Sequence, residues 1–270
     1  LNEIKTILTG RLSIKSFLNI PIWLKLFLLD EPTIYANADK IISVSKELGE
    51  DLVRQYKIQK ERLIVIPNGI DTTKFKPMGS DVLKRDLNLT DEKLIVSVGR
   101  IDEQKGFQQL IKILPDISKK YNVKLIVVGT GPYLRNLKLM AEKSGLLDRV
   151  IFTGRVTDED LPNYYNLADV FVFPTLREES FGIVNIEAMA CEKPVITSRI
   201  GGIPTAIENG RDGILIEPGD LDELAKNILY LLDNDDVAER LGKQAREKVI
   251  NEFSLDKMVE DTIKVYEALR

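Results

Sequence analysis

The stretch Leu-Ile-Val-Ser-Val-Gly-Arg-Ile-Asp-Glu-Gln-Lys-Gly, residues 94–106, decides the fold of this chain. It begins with an almost continuously apolar, β-branched run, which is typical of a strand covered on both faces. A polar loop with a glycine at each end follows, and residues 107–120 then have helical periodicity. Strand, loop and helix in this order form the repeating unit of a parallel sheet with right-handed crossovers. The stretch therefore predicts an α/β fold.

The same unit recurs along the rest of the chain. We predict one complete Rossmann-like, doubly wound parallel-sheet domain over residues 93–253. If its strand order is 3-2-1-4-5-6, ligands bind beyond the carboxyl ends of strands one and four, where the strand order reverses. The further predicted strands are 124–128, 150–153, 170–173, 195–197 and 214–216, and the further helices are 133–143, 159–166, 183–191 and 221–232.

The remaining residues do not complete a second sheet. Residues 1–70 contain only two predicted strands, 40–44 and 63–66, with a helix from 46 to 56 between them. Two strands do not make a closed α/β domain, and the chain begins with Leu1, so we expect a fragment of a longer protein. The segment 71–92 is rich in turn-forming residues and predicts an interdomain linker. Residues 254–270 predict a helix that returns to the N-terminal domain.

Composition excludes several classes of function. The chain has 270 residues, 44% of them hydrophobic, with a net charge of −4, so it has no overall basic field for nucleic acid. It contains no histidine and a single cysteine. Ser-His-Asp and Cys-His catalysis, histidine-ligated zinc and cysteine-built metal sites are therefore excluded within this chain.

The most apolar segment is Phe17–Leu29. It is shorter than the roughly 20 residues that cross a bilayer, and it lacks the cleavage site of a signal peptide. We expect a cytoplasmic protein. Two interpretations of the segment stay open: peripheral contact with the inner membrane face, or a helix of the N-terminal domain.

The loop after the first strand of the domain carries two cations. Gly99 permits a sharp exit from the strand, and Gly106 lets a helix begin close by. Arg100 and Lys105 are suited to a diphosphate, because a guanidinium fork binds paired oxygens and an ammonium binds a further one. The alternative is a pair of surface cations in a polar loop.

The loop after the fourth strand, residues 174–182, runs into a helix. Ser180 is the predicted N-cap, and the N–H groups of Phe181–Val184 with the helix dipole predict an anion site. Glu187 lies one turn into the helix, within reach of ribose hydroxyls, whereas Glu179 lies nearer to a group beyond the phosphates. The alternatives are an exposed helical Glu187 and a Glu179 that only favours the helix dipole.

Three more glycine turns belong to the same edge of the sheet: Gly129–Pro132, Gly154–Val156 and Gly201–Pro204. The second could expose backbone to a nucleobase, and the third could close around a ligand, although plain turns are equally consistent with them. Cys191 is predicted to be a small core residue and not a nucleophile.

Together these motifs resemble the retaining glycosyltransferases of the GT-B fold, in particular glycosyl transferases group 1 (glycosyltransferase family 4). The two glutamates eight positions apart around Phe181-Gly182 are the most specific part of the resemblance. Residues 38–45 and 66–71 also resemble the end of the family's first domain. The resemblance therefore implies that residues 1–70 are the C-terminal remnant of an N-terminal, acceptor-side Rossmann-like domain in an N-terminally truncated chain. One departure is Glu192, where the family usually has glycine, and we expect a changed helix end there. The family's glycine-rich first-domain loop and its histidine near the donor sugar are also missing.

The resemblance implies a nucleoside diphosphate sugar (UDP-, GDP- or ADP-linked) as donor and a saccharide or lipid-linked glycan as acceptor, as in polysaccharide biosynthesis. Transfer would retain the anomeric configuration by front-face attack, with neither a metal ion nor a cofactor. Arg100, Lys105 and Glu179 would be catalytic, and Glu179 would bind the hydroxyls of the transferred sugar. The implied donor-binding positions are Gly99, Gly129, Gly131, Arg155, Val156, Phe181, Gly182, Ile183, Val184 and Glu187.

Within this resemblance, Glu187 would bind the ribose and the backbone of Gly154–Val156 would meet the base. Two alternatives to a transferase stay open. One is a non-catalytic fragment that binds the nucleotide sugar, and the other is a GT-B sugar-nucleotide epimerase. We expect the parent protein to be the active enzyme and the isolated chain to be inactive.

Overall fold

The computed structural model describes residues 31–269. The predictions for Phe17–Leu29 and for the rest of residues 1–30 lie outside this range. The first elements are α1 (Glu31–Asn37), β1 (Ile41–Ser43), α2 (Lys46–Tyr56), β2 (Leu63–Val65) and α3 (Asp81–Asp86). Strands β1 and β2 pair in parallel as a two-stranded sheet.

The next elements alternate as predicted. The strands are β3 (Lys93–Val98), β4 (Val123–Val128), β5 (Val150–Gly154), β6 (Val170–Phe173), β7 (Val195–Ser198) and β8 (Ile214–Ile216). All five neighbouring pairs are parallel, and the order is β5-β4-β3-β6-β7-β8. This is the 3-2-1-4-5-6 order, so the doubly wound parallel sheet is confirmed. The order reverses between β3 and β6, which are neighbours in the sheet.

Helices cover both faces of the six-stranded sheet. They are α4 (Phe107–Ser118), α5 (Leu134–Lys143), α6 (Leu161–Leu167), α7 (Ile183–Ala190), α8 (Ile203–Ala206), α9 (Leu221–Asp233) and α10 (Asp235–Glu252). Leu94 and Val96 of β3 lie in the core with α6 and α7, whereas Ile95 lies in the core with α4 and α9. Because both faces are buried, the strand needs apolar residues at successive positions.

The last helix, α11 (Leu255–Glu267), packs on the two-stranded sheet. Val265 shares a small apolar cluster with Ile42 and Ile66. The N–H of Gly69 donates to Met258 Sδ at 3.2 Å. The chain segment after β2 and the start of α11 are thus joined, and the predicted domain boundaries at 70, 92 and 253 stay predictions.

The segment 71–92 contains helix α3, and its role as an interdomain linker stays a prediction. Two local expectations differ from the structure. The turn predicted at Gly201–Pro204 leads directly into helix α8. The proline in the first turn of α8 explains this difference, because its fixed φ suits a helix start. The expected change after Cys191 is not found. Helix α7 ends in a Schellman motif with Glu192 at φ 61°, in the left-handed conformation that glycine favours.

Within residues 31–269, the structure contains no helix that combines the length and apolar character needed to span a bilayer.

Candidate functional site

The two predicted loops, 99–106 after β3 and 174–182 after β6, contact each other at the carboxyl edge of the sheet. Gly106, at φ 78°, lies so close to Pro174 that a Cβ would stand 1.8 Å from the proline carbonyl oxygen. The side-chain amide of Gln109 donates to the same oxygen at 2.6 Å. The absence of a side chain at Gly106 therefore lets the two loops approach each other, and the Gln109 hydrogen bond joins them.

This contact brings Lys105 next to Glu179. Their side chains form an ion pair and are 25% and 16% exposed. The lysine ammonium also lies 5.5 Å from the ring centroid of Phe173, and Thr175 Oγ1 donates to Glu179 Oε1 at 3.4 Å. Two of the three predicted catalytic side chains are thus in direct contact. The ion pair also replaces the interpretation of Lys105 as an unpaired surface cation.

Arg100, the third predicted catalytic residue, is exposed at the end of β3. Its guanidinium has no hydrogen-bond or ion-pair partner among the residues that the structure describes. Arg100 is therefore open to an anion that enters from solvent. It lies in the same loop as Lys105, but it does not contact Glu179.

The start of α7 differs from the prediction in one respect. The N-cap is Gly182 at φ 76°, and Ser180 does not cap the helix. Within residues 31–269, no side chain accepts a hydrogen bond from the backbone N–H groups of the first turn. The N–H groups of Ile183 and Val184 therefore have no acceptor there. They remain available to an anion, as the sequence predicted. Phe181 is buried against Phe253, so only its backbone could contact a ligand.

The predicted donor-binding glycines hold neighbouring loops at close distance. A Cβ on Gly129 would lie 2.0 Å from the carbonyl oxygen of Gly99, and one on Gly131 would lie 2.2 Å from that of Ile101. The loops after β3 and β4 therefore touch through backbone. Beyond β5, Arg155 and Val156 line a separate pocket of 370 Å³ together with residues 157–159.

Glu187 is half-buried on α7 and is not the freely exposed glutamate of the alternative interpretation. Its Oε2 accepts a hydrogen bond from the hydroxyl of Tyr165 at 2.5 Å. Burial raises the pKa of Glu187 to about 6, against the opposing effects of the Tyr165 hydrogen bond and the Lys74 charge. Tyr165 was not predicted to belong to the site, because its partner comes from another helix.

A larger pocket of 580 Å³ lies between α2 and the loop that carries Glu179. Gly201 and Gly202, the turn predicted to close around a ligand, line it with residues 177–180 and part of α2. Cys191 is buried in the core, which confirms the prediction of a core cysteine, and burial raises its pKa to about 12.

Comparison with known proteins gives two family matches. The model of Glycosyl transferases group 1 matches residues 80–248, and that of Glycosyltransferase Family 4 matches residues 11–74. The matched ranges include every predicted site residue.

Individual proteins are similar over most of the chain. The capsular polysaccharide biosynthesis glycosyltransferase CapM of Staphylococcus aureus is 32% identical over 89% of this chain and 64% of its own. The structure of sucrose-phosphate synthase from Thermosynechococcus elongatus superposes with TM-score 0.83 at 30% identity, over 97% of this chain and 67% of that chain. HepE of Anabaena, solved in complex with UDP, gives TM-score 0.81 at 25% identity, over 88% of this chain and 68% of that chain. The chain spans between 50% and 65% of the length of the curated relatives that it matches.

Proposed function

Because the chain belongs to the glycosyl transferases group 1 family, with the GT-B fold, we propose that it binds a nucleoside diphosphate sugar and transfers the sugar to an acceptor hydroxyl. The observation that carries this proposal is the contact of Lys105 with Glu179 beside the free N–H groups at the start of α7. Cations and N–H donors suit a diphosphate, and a carboxylate next to them suits sugar hydroxyls. The acceptor that we propose is a saccharide or a lipid-linked glycan.

Each group has a specific task in this proposal. Arg100 and Lys105 bind the diphosphate and stabilise the charge that develops on it as the sugar leaves, so no metal ion is required. The N–H groups of Ile183 and Val184 bind further phosphate oxygens. The acceptor oxygen bonds to the anomeric carbon on the face from which the diphosphate departs. A leaving phosphate oxygen takes the acceptor proton, and the configuration is retained.

Glu187 and the pocket beyond β5, lined by residues 155–159, complete the donor site. Glu187 accepts from the ribose hydroxyls, and the backbone at Arg155 and Val156 contacts the base. HepE, whose complexes include UDP and UDP-glucose, supports a nucleotide donor of this kind. The similarity to CapM, a capsular polysaccharide biosynthesis glycosyltransferase, supports a role in polysaccharide biosynthesis.

A narrower function is binding of the nucleotide sugar without transfer. All of the side chains that we assign to the donor lie between residues 99 and 187, in or beside the six-stranded sheet. Donor binding that occurs without transfer or slow hydrolysis would favour this narrower function over the enzyme.

The test is a thermal-shift measurement on the chain with UDP, GDP, ADP and the corresponding sugar nucleotides. A ligand at about 100 times its Kd should stabilise the protein by about 2.7 kcal/mol. We expect one diphosphate to stabilise the chain and Lys105→Ala to abolish the effect. The matched control is Lys119→Ala at an exposed lysine paired only with Asp116, which should leave the shift unchanged. The absence of a shift with every nucleotide would contradict the proposal.

A further inference from the structure

The hydroxyl of Tyr165 lies in a fixed position. The side chain is fully buried, and its ring packs against Phe75 and Phe171 at centroid distances of 6.0 and 5.3 Å. Aromatic neighbours on two sides leave the ring no alternative rotamer without opening the core. Because the hydroxyl donates to Glu187 Oε2, the position of the ring determines where that carboxylate lies.

The two oxygens of the Glu187 carboxylate differ. Oε2 accepts from Tyr165. Oε1 has no donor within residues 31–269, and it is not among the buried side-chain atoms that lack a partner. Oε1 is therefore open to solvent. A carboxylate with one oxygen fixed from the core and the other free is arranged to accept hydrogen bonds from a ligand.

We infer that Tyr165 is a positioning residue for the donor, which holds Glu187 so that Oε1 accepts hydrogen bonds from the ribose hydroxyls. This inference rests on the proposed function. Tyr165 does not touch the nucleotide in this arrangement, because it is buried behind Glu187.

The pKa of Glu187 gives a second way to test the inference, because it depends on the groups that surround this carboxylate. Burial and the charge of Asp158 raise the pKa of Glu187, whereas the Tyr165 hydrogen bond and the charge of Lys74 lower it. Cys191, which also interacts with Glu187, is neutral near pH 6 because burial raises its own pKa. Loss of the phenol hydroxyl should therefore move the pKa of Glu187 upward from about 6.

The experiment compares the wild-type chain with Tyr165→Phe and Tyr164→Phe. Tyr164 is the adjacent, half-buried tyrosine, so its variant is a matched control for the loss of one phenol hydroxyl. Each protein is titrated with the nucleoside diphosphate that stabilises it and with the dideoxyribonucleoside diphosphate, which lacks both ribose hydroxyls. Titrations are repeated below and above pH 6.

We expect the wild-type chain and Tyr164→Phe to prefer the ribonucleotide by about tenfold, since hydrogen bonds to a charged group are among the stronger ones. Tyr165→Phe should lose most of this preference, and the pH at which its binding weakens should rise. A change in folding alone would weaken both nucleotides equally and would leave that pH unchanged.

The outcomes separate the two proposals. A Tyr165→Phe protein that keeps both the wild-type preference and the wild-type pH dependence overturns the positioning role while donor binding stands. A wild-type chain that binds no nucleoside diphosphate overturns both. If Tyr165→Phe does not fold, Glu187→Gln serves instead, since it keeps an acceptor for the phenol. The preference of that variant for the ribonucleotide over the dideoxyribonucleotide should not change with pH near 6, because the phosphate ionisation is common to both ligands. A preference that still changes with pH there would overturn the inference.

Discussion

Glu179 and Glu187 stand eight positions apart in the sequence, yet their surroundings differ. Glu179 lies in a loop and is paired with Lys105, a cation from a second loop. Glu187 lies in a helix and receives a hydrogen bond from a neutral, fully buried phenol. The charge of Glu179 is balanced by direct contact, whereas that of Glu187 is not, and burial raises the pKa of Glu187 to about 6.

Under the proposed function, the difference corresponds to two ways of presenting a carboxylate to a ligand. An ion pair between two partly exposed side chains can be exchanged for an incoming diphosphate and sugar at little cost. A hydrogen bond from a ring fixed in the core cannot be exchanged, so the carboxylate keeps its position whether or not a ligand is bound. We expect the Glu179 region to change partners during donor binding and the Glu187 region to remain as it is.

The largest effect should come from separating the two loops that form the Glu179 region. Gly106→Ala places a Cβ 1.8 Å from the Pro174 carbonyl oxygen, at φ 78°. We expect the free energy of unfolding to fall by about 3 kcal/mol, measured by urea denaturation.

A matched control separates the steric clash from the backbone strain. Gly145 also has positive φ, at 66°, but a Cβ there would meet nothing within 4 Å. Gly145→Ala should cost only the strain of the left-handed conformation, about 1 kcal/mol. Equal losses at the two glycines would show that the contact between the loops contributes nothing.

The next effect concerns the unbalanced charge of Glu187. Its pKa is about 6 in the folded chain against 4.5 for an ordinary glutamate, so the folded state binds the proton more tightly. The tighter proton binding stabilises the folded chain fully below pH 4.5, and this contribution is lost as the pH rises through 6. At 1.36 kcal/mol for each pKa unit, Glu187→Gln should stabilise the chain by about 2 kcal/mol well above pH 6.

The gain should disappear in acid, where Glu187 is protonated in both the folded and the unfolded chain. Glu247→Gln, at an exposed position of α10, is the matched control and should change the unfolding free energy little at any pH. A gain for Glu187→Gln that is equal at all pH values would contradict an electrostatic origin.

The smallest effect should be the coupling between Lys105 and Glu179. A double-mutant cycle with Lys105→Ala and Glu179→Gln should give about 1 kcal/mol in the free energy of unfolding of the ligand-free chain. With a saturating nucleoside diphosphate the coupling should approach zero, since the lysine then has a different partner. A coupling that is unchanged by the nucleotide would mean that the ion pair is structural.

The fold and the Lys105–Glu179 contact follow from the sequence for one physical reason. A parallel sheet buried on both faces needs continuous apolar strands, and such strands are visible at residues 94–98 and 170–173. Once the order places β3 beside β6, the loops that leave them must meet at the carboxyl edge. Side chains 74 positions apart in sequence are then brought together by topology.

The parts that the sequence did not predict depend on tertiary packing. Ser180 has the side chain of a good N-cap, but the backbone turns at Gly182, where a Cβ would lie 2.8 Å from Asn185 Nδ2. Tyr165 has the spacing of an ordinary core aromatic, and its hydroxyl finds Glu187 only because α6 packs beside α7. No local pattern distinguishes a buried tyrosine that donates to a carboxylate from one that does not.

Gly202 links the two sheets in a way that has a mechanical consequence. A Cβ on this residue would lie 2.1 Å from the carbonyl oxygen of Ser180 and 2.4 Å from Ser45 Oγ, and its own N–H donates to the carbonyl of Glu179 at 2.7 Å. The chain between β1 and α2 thus lies directly against the segment that carries Glu179. Any rotation of one sheet against the other must displace this glycine. Such a rotation would therefore be transmitted through the backbone to Glu179.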